Sequence, residues 1–264
     1  TGVQTCALPI YTDHIEKGFA FGGMPARGGV TSALLVHSGW TGVDDILSGE
    51  NNFFLANAPH GDLNALTDKL GERFEIMRTS IKKWTVGTPI QAPLDALETI
   101  LKRRPLAPDD VREIVVRMDP RTSVVNDREM PDINIQYMLA IMLVDRTASF
   151  AAAHDKKRMQ DPLILRQRAK VRLEPNSEQP LLSVTLSDGS RITENPTAVR
   201  GTAENPMTRA EVIEKARDLV QPILGASTTT RLIGRILDLE NTRNVRELRP
   251  LLQRSSADSH TPRA

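Results

Sequence analysis

Between Ile133 and Val144 the chain reads INIQYMLAIMLV, apolar almost all round. A helix with one solvated face would show a polar stripe, so this pattern predicts a helix buried on every side, entered through Pro131, where a first-turn proline is tolerated. A chain of 264 residues is long enough to supply those covering layers. The longest uninterrupted apolar run, Met138 to Val144, is far short of the ~20 residues that cross a bilayer, and we expect a soluble protein without membrane partners.

The neighbours of this helix are mixed. Val111 to Met118 carries the β-branched run Ile114, Val115 and Val116 and predicts a strand. Ala169 to Leu173 and Leu182 to Leu186 predict two more, and Asp188-Gly189 marks a hairpin turn before Arg191 to Thr193. On the N-terminal side, Pro89 to Leu101 predicts an amphipathic helix with Leu94, Leu97 and Ile100 or Leu101 inward, and Gln91, Asp95 and Glu98 on its other side.

Both ends of the chain read as helix alone. From Gly28 to His37 the spacing of Val30, Ala33, Leu34 and Val36 predicts a helix stopped near Gly39, and short helical pieces are expected at Val43 to Leu47 and Leu63 to Leu70. Thr208 with Glu211 forms a capping box for a helix running to Gly225, followed by helices at Ser227 to Leu239 and Asn244 to Leu252. The pattern thus shifts from helical to mixed near Arg78 and back near Asn205. The expected fold class is α+β, a mostly helical domain with a smaller inserted α+β lid domain. Residues 11–78 would be part of the helical domain, 79–204 the lid, 205–254 the return to the helical domain, and 255–264 a disordered tail. The opening TGVQTCALPI resembles a translated sequencing adapter; residues 1–10 are therefore treated as a non-native leader and set aside from fold reasoning.

Charge and cysteine content exclude several classes. Lys plus Arg number 34 against 33 Asp plus Glu, so no global field attracts nucleic acid. One cysteine cannot form an internal disulfide, which makes the cytoplasm the default location. Residues 21–29, FGGMPARGG, have the Gly23/Gly28 spacing of a phosphate-binding loop, but Gly29 and Val30 stand where Lys and Ser/Thr are required. The alternative is that the glycines let a helix start pack close to another backbone. Lys17, just ahead of such a start, could hold an anion such as carboxylate.

Four segments resemble the MmgE/PrpD family, which contains 2-methylcitrate dehydratases and cis-aconitate decarboxylases. They are KGFAFGGMPARGGVTSALL from Lys17 to Leu35 with Trp40-Thr41-Gly42; SIKKWTVG from Ser80 to Gly87 with Leu94-Asp95-Ala96-Leu97; IQYMLAIMLVD from Ile135 to Asp145; and Asn205-Pro206-Met207-Thr208 with Lys215. They stand in the family's order over about residues 14–225. The resemblance implies a large helical domain with an inserted lid, and a chemistry that removes water or carbon dioxide from small carboxylic acids, or isomerises them, without a metal or organic cofactor. It places Lys17 and Lys82 on substrate carboxylates, with Lys83 next in register. It also implies a homodimer, and a general base in an N-terminal half that is expected upstream of this stretch. The stretch alone would then be inactive and would expose apolar surface.

The departures from the family pattern bear on the substrate. Ala20 and Gly87 stand where some members have histidines, and Ser123 lies near a decarboxylase tyrosine, which argues against cis-aconitate. His37 lies late in an apolar helix, His60 follows Pro59 in a loop, and His154 and His260 lack any partner pattern; all four read as structural or exposed. A non-catalytic module that binds a small acid, or an isomerase or epimerase of the same family, is the alternative to a lyase. A nucleotide-binding protein is a third, and no stabilisation by nucleotide is expected.

Overall fold

The computed structural model describes residues 22–176, 178 and 181–253. The leader, Lys17, Ala20, His260 and the expected tail lie outside them. The chain divides into two compact units between Arg78 and Thr79.

The first unit opens with α1 (Met24–His37), which has Pro25 in its first turn and is followed by Gly39 at φ +100°. The helix starts before Gly28 rather than at it, because Pro25 is already preorganised for a first turn. Gly28 and Gly29 therefore lie inside the helix. A Cβ added at Gly22, Gly28 or Gly29 would meet nothing within 4 Å, so among the described residues these glycines serve no close backbone approach. The expected helical piece at Val43 to Leu47 is absent. Asp45 takes the backbone N–H groups of Leu47 and Ser48 instead, a local turn that competes with helix. A short α2 (Phe53–Asn57) follows, capped by the Asn52 side chain on the Leu55 N–H. The piece expected at Leu63 to Leu70 is a 3₁₀ turn over Leu63–Leu66; Lys69 and Gly71, both at positive φ, stop it from lengthening. Val30 (62% exposed), Leu34 (61%) and Val36 (62%) are apolar side chains that α1 leaves open to solvent.

In the second unit a 3₁₀ turn at Thr88–Ile90 leads into α3 (Gln91–Arg103), then β1 (Val111–Arg117). Next comes α4 (Ile135–Asp145), whose first turn is capped by Asn134 on the Tyr137 N–H at 2.8 Å. This cap moves the helix start from Ile133 to Ile135, behind a 3₁₀ turn at Pro131–Ile133. The connection to the second strand holds α5 (Phe150–Ala153) and α6 (Pro162–Arg168). Three strands follow: β2 (Val171–Glu174), β3 (Leu182–Leu186) and β4 (Arg191–Glu194).

The sheet order is β2-β1-β3-β4, with β1 parallel to β2 and the other pairs antiparallel. Gly189 at φ +84° makes the β3–β4 turn. Helix α4 packs against α3, α6 and β2, and its residues from Ile135 to Leu143 are all buried, as its sequence requires. Ile114, Val116, Leu182 and Val184 supply the sheet's share of the core. The other face carries a charge ladder, with Arg172 bonded to Glu113 and Glu174, and Arg117 to Glu174. The mixed sheet beside a majority of helices makes the fold α+β.

The capping box at Thr208 and Glu211 starts α7 (Arg209–Leu224), and Gly225 at φ +76° separates it from α8 (Ala226–Leu237). The last expected helix is instead a 3₁₀ segment, Val245–Leu252, with Pro250 inside it. Among the described residues no helix is long and apolar enough to cross a membrane.

Candidate active site loop

The segment from Ile81 to Gly87 has no repeating structure of its own, so its shape must come from side chains and distant backbone. Four separate parts of the second unit supply it. From α3, Gln91 accepts from the Trp84 N–H at 3.2 Å and donates to the Trp84 carbonyl at 2.8 Å and the Val86 carbonyl at 3.3 Å. One turn later Asp95 accepts from the Trp84 indole N–H at 2.9 Å. From the segment after β4, the Ile81 N–H donates to the Gly201 carbonyl at 2.7 Å. From the entry to α4, the Asp132 carbonyl accepts from the Gly87 N–H at 2.8 Å. From α7, the Lys215 ammonium donates to the Lys82 carbonyl.

Gly201 is required here. Its φ is +94°, and a Cβ built on it would lie 1.8 Å from the Ile81 carbonyl oxygen, so no larger residue fits without moving the loop.

These contacts correct the expectation for α3. Gln91 and Asp95 were expected on its polar side, yet they are 2% and 8% exposed. Each is buried because the Trp84 loop folds over it and satisfies it. Burial pushes the Asp95 carboxyl up from its ordinary value, against the opposing bonds from the Arg200 N–H (2.7 Å) and the Trp84 indole. At Glu98 burial also acts upward, but bonds from Lys83 and Lys102 outweigh it and hold the carboxyl low.

The lysines divide by role. Lys83 turns inward, with its ammonium on Glu98 and 4.4 Å from the centre of the Trp84 ring. Lys82 is exposed and its ammonium donates to the Val86 carbonyl at 3.2 Å. Lys215 has its ammonium pushed below the usual lysine value by burial and then by the charge of Lys82. The Lys215 ammonium thus lies against the Lys82 main chain, while the Lys82 ammonium lies on the Val86 carbonyl.

Lys215, but not Lys82, lines a cleft of about 480 Å³, together with Lys83, Trp84, Thr85, Met207 and Asp218 among others. The Thr85 hydroxyl is buried without a hydrogen-bond partner among the described residues. A second cleft, of about 560 Å³, is crowded with charge, but its groups bond one another, Lys83 and Lys102 both on Glu98, Arg103 on Glu194 and Arg200 on Glu211. Among the described residues no group of His, Cys, Asp and Glu could hold a metal ion.

Sequence reasoning thus placed Lys82 and Lys83 on the loop and Lys215 in a neighbouring motif, while Lys17 lies outside the described residues. It missed Gln91, whose partners are nearby but lie on a loop with no periodic pattern, and Asp95, Arg200 and Gly201, which are joined to one another or to Ile81 across more than 100 residues. At Gly87 a Cβ would meet the Ile133 side chain at 3.3 Å, so this position is already tight for a side chain of any kind.

An α+β unit with a lysine-bearing loop braced from four sides defines the class. Residues 84–240 match the MmgE/PrpD C-terminal domain, more than half of the chain, and the chain belongs to the MmgE/PrpD family. No curated protein matches the sequence.

Proposed function

We propose that this chain contributes the C-terminal part of a cofactor-independent lyase acting on a small di- or tricarboxylic acid, with 2-methylcitrate dehydration as the reference reaction. The observation that carries the reading is Lys82, a cation on a loop fixed by four distant parts of the fold, in a member of the MmgE/PrpD family. A fixed ammonium group is what the chemistry needs. When a proton leaves carbon beside a carboxylate, negative charge grows on that carboxylate, and a preorganised cation stabilises it without having to reorient. Lys82 and Lys17 are assigned to substrate carboxylates. The general base is assigned to a histidine or aspartate of the N-terminal half that the resemblance implies. A single cysteine in 264 residues supports a reducing, cytoplasmic setting. A homodimer is carried over from the family resemblance.

The test is a turnover assay with citrate-like acids on the complete gene product, comparing wild type with Lys17→Ala and Lys82→Ala. Each variant is expected to lose about 100-fold or more in kcat/KM, the scale of losing one charge-stabilising donor. Unchanged activity in both rejects the assignment. Binding of these acids with no turnover would favour the small-acid-binding module.

A further inference from the structure

Most braces of the 81–87 loop grip residues on either side of Lys82. Gly201 holds Ile81, Gln91 and Asp95 hold Trp84, Glu98 holds the Lys83 side chain, and Asp132 holds Gly87. Lys215 differs, because it reaches the carbonyl of Lys82 itself, across 133 residues of sequence. It does so from the middle of α7, a helix anchored at its start by the capping box and by the Arg200–Glu211 pair. A lysine ammonium half-buried next to another lysine is unfavourable on its own account, since burial and like charge both act against it. The hydrogen bond to the Lys82 carbonyl is the compensating interaction.

We propose that Lys215 is a positioning residue that fixes the main chain of Lys82 and so aims its ammonium group. The proposal deepens the carboxylate reading of Lys82 and rests on it for its consequence, though not for its geometry. The bond runs from α7 to the lysine loop, so docking of α7 and placement of Lys82 become one event. Loss of the Lys215 charge also relieves the Lys82 ammonium of a like neighbour.

The test uses the full chain as wild type, Lys215→Met and Lys215→Arg, the last retaining both charge and donors. Hydrogen exchange of a peptide spanning residues 81–87 is expected to quicken about tenfold in Lys215→Met, the scale of one lost charge-assisted hydrogen bond, and to stay near wild type in Lys215→Arg. Exchange in the strand peptides serves as the control for folding. Amine acetylation read residue by residue against pH gives the electrostatic signature. The midpoint for Lys82 moves upward in Lys215→Met and holds in Lys215→Arg. Exchange and midpoint both unchanged in Lys215→Met overturn the proposal, as does a Lys215→Arg variant that loosens the loop equally. Citrate binding to the complete gene product, compared between wild type and Lys82→Ala, separates the two readings. Equal binding removes the carboxylate role of Lys82, and the exchange comparison still decides the role of Lys215.

Discussion

The main-chain N–H of Arg200 donates to the carboxylate of Asp95 at 2.7 Å, joining positions 105 residues apart. The same carboxylate holds the Trp84 indole through its other oxygen, so one buried group ties α3, the lysine loop and the segment before α7 together.

Replacing Asp95 with Ala strands two donors, and the expected loss is about 2–4 kcal/mol by urea denaturation at neutral pH. The pH dependence has a definite sign. Because the folded carboxyl titrates above its unfolded value of 3.8, the native state binds more protons in that window. The contribution of Asp95 is therefore largest below the unfolded value and falls as pH rises through the folded one. Asp95→Asn should accordingly be more destabilising relative to wild type at low pH than at neutral pH.

Gly201→Ala should cost more than ~1 kcal/mol in thermal unfolding, through positive φ and the collision with the Ile81 carbonyl together. It should also speed hydrogen exchange in the 81–87 peptide, because the clash falls on that loop.

Glu211 titrates in the opposite sense to Asp95. Its bonds from Arg200 and then from Thr208 hold it down to about 2, against an ordinary 4.5. The stability it adds is present above pH 4.5 and is lost as pH falls toward 2. Glu211→Ala should cost about 1 kcal/mol at pH 7, a typical capping loss, and progressively less in acid. Chemical denaturation of both proteins across that range checks it.

Leu139 is fully buried in α4, and Leu139→Ala should cost about 2–5 kcal/mol. Val36, exposed on α1, should behave differently. Changing Val30, Leu34 and Val36 to glutamate should lower binding of a hydrophobic dye and leave the unfolding of the second unit unchanged.

Elements specified by neighbouring residues were legible in the sequence. The α7 capping box, the Asp188-Gly189 hairpin and the all-round apolar α4 each depend on residues a few positions apart. The Asp161 cap with Pro162 behind it was an equally local signal for α6, and it was passed over. Val43 to Leu47 failed because periodicity cannot register that one side chain, Asp45, supplies a competing turn. Gln91 and Asp95 read as solvent-facing because their polarity is satisfied by a loop that only the fold brings over them. Lys82 was found through its motif, but the contacts that hold it come from α3, Asp132, Gly201 and Lys215, and no window of sequence contains them all.

The chain has two tryptophans, one in each unit. Trp40 is 66% exposed, while Trp84 is 6% exposed, with its indole on Asp95 beneath the lysine loop. Intrinsic fluorescence therefore carries two separable colours, a red-shifted emission from Trp40 and a blue-shifted one from Trp84. In a Trp40→Phe background the remaining signal becomes an optical gauge of whether the loop beneath Lys82 is seated.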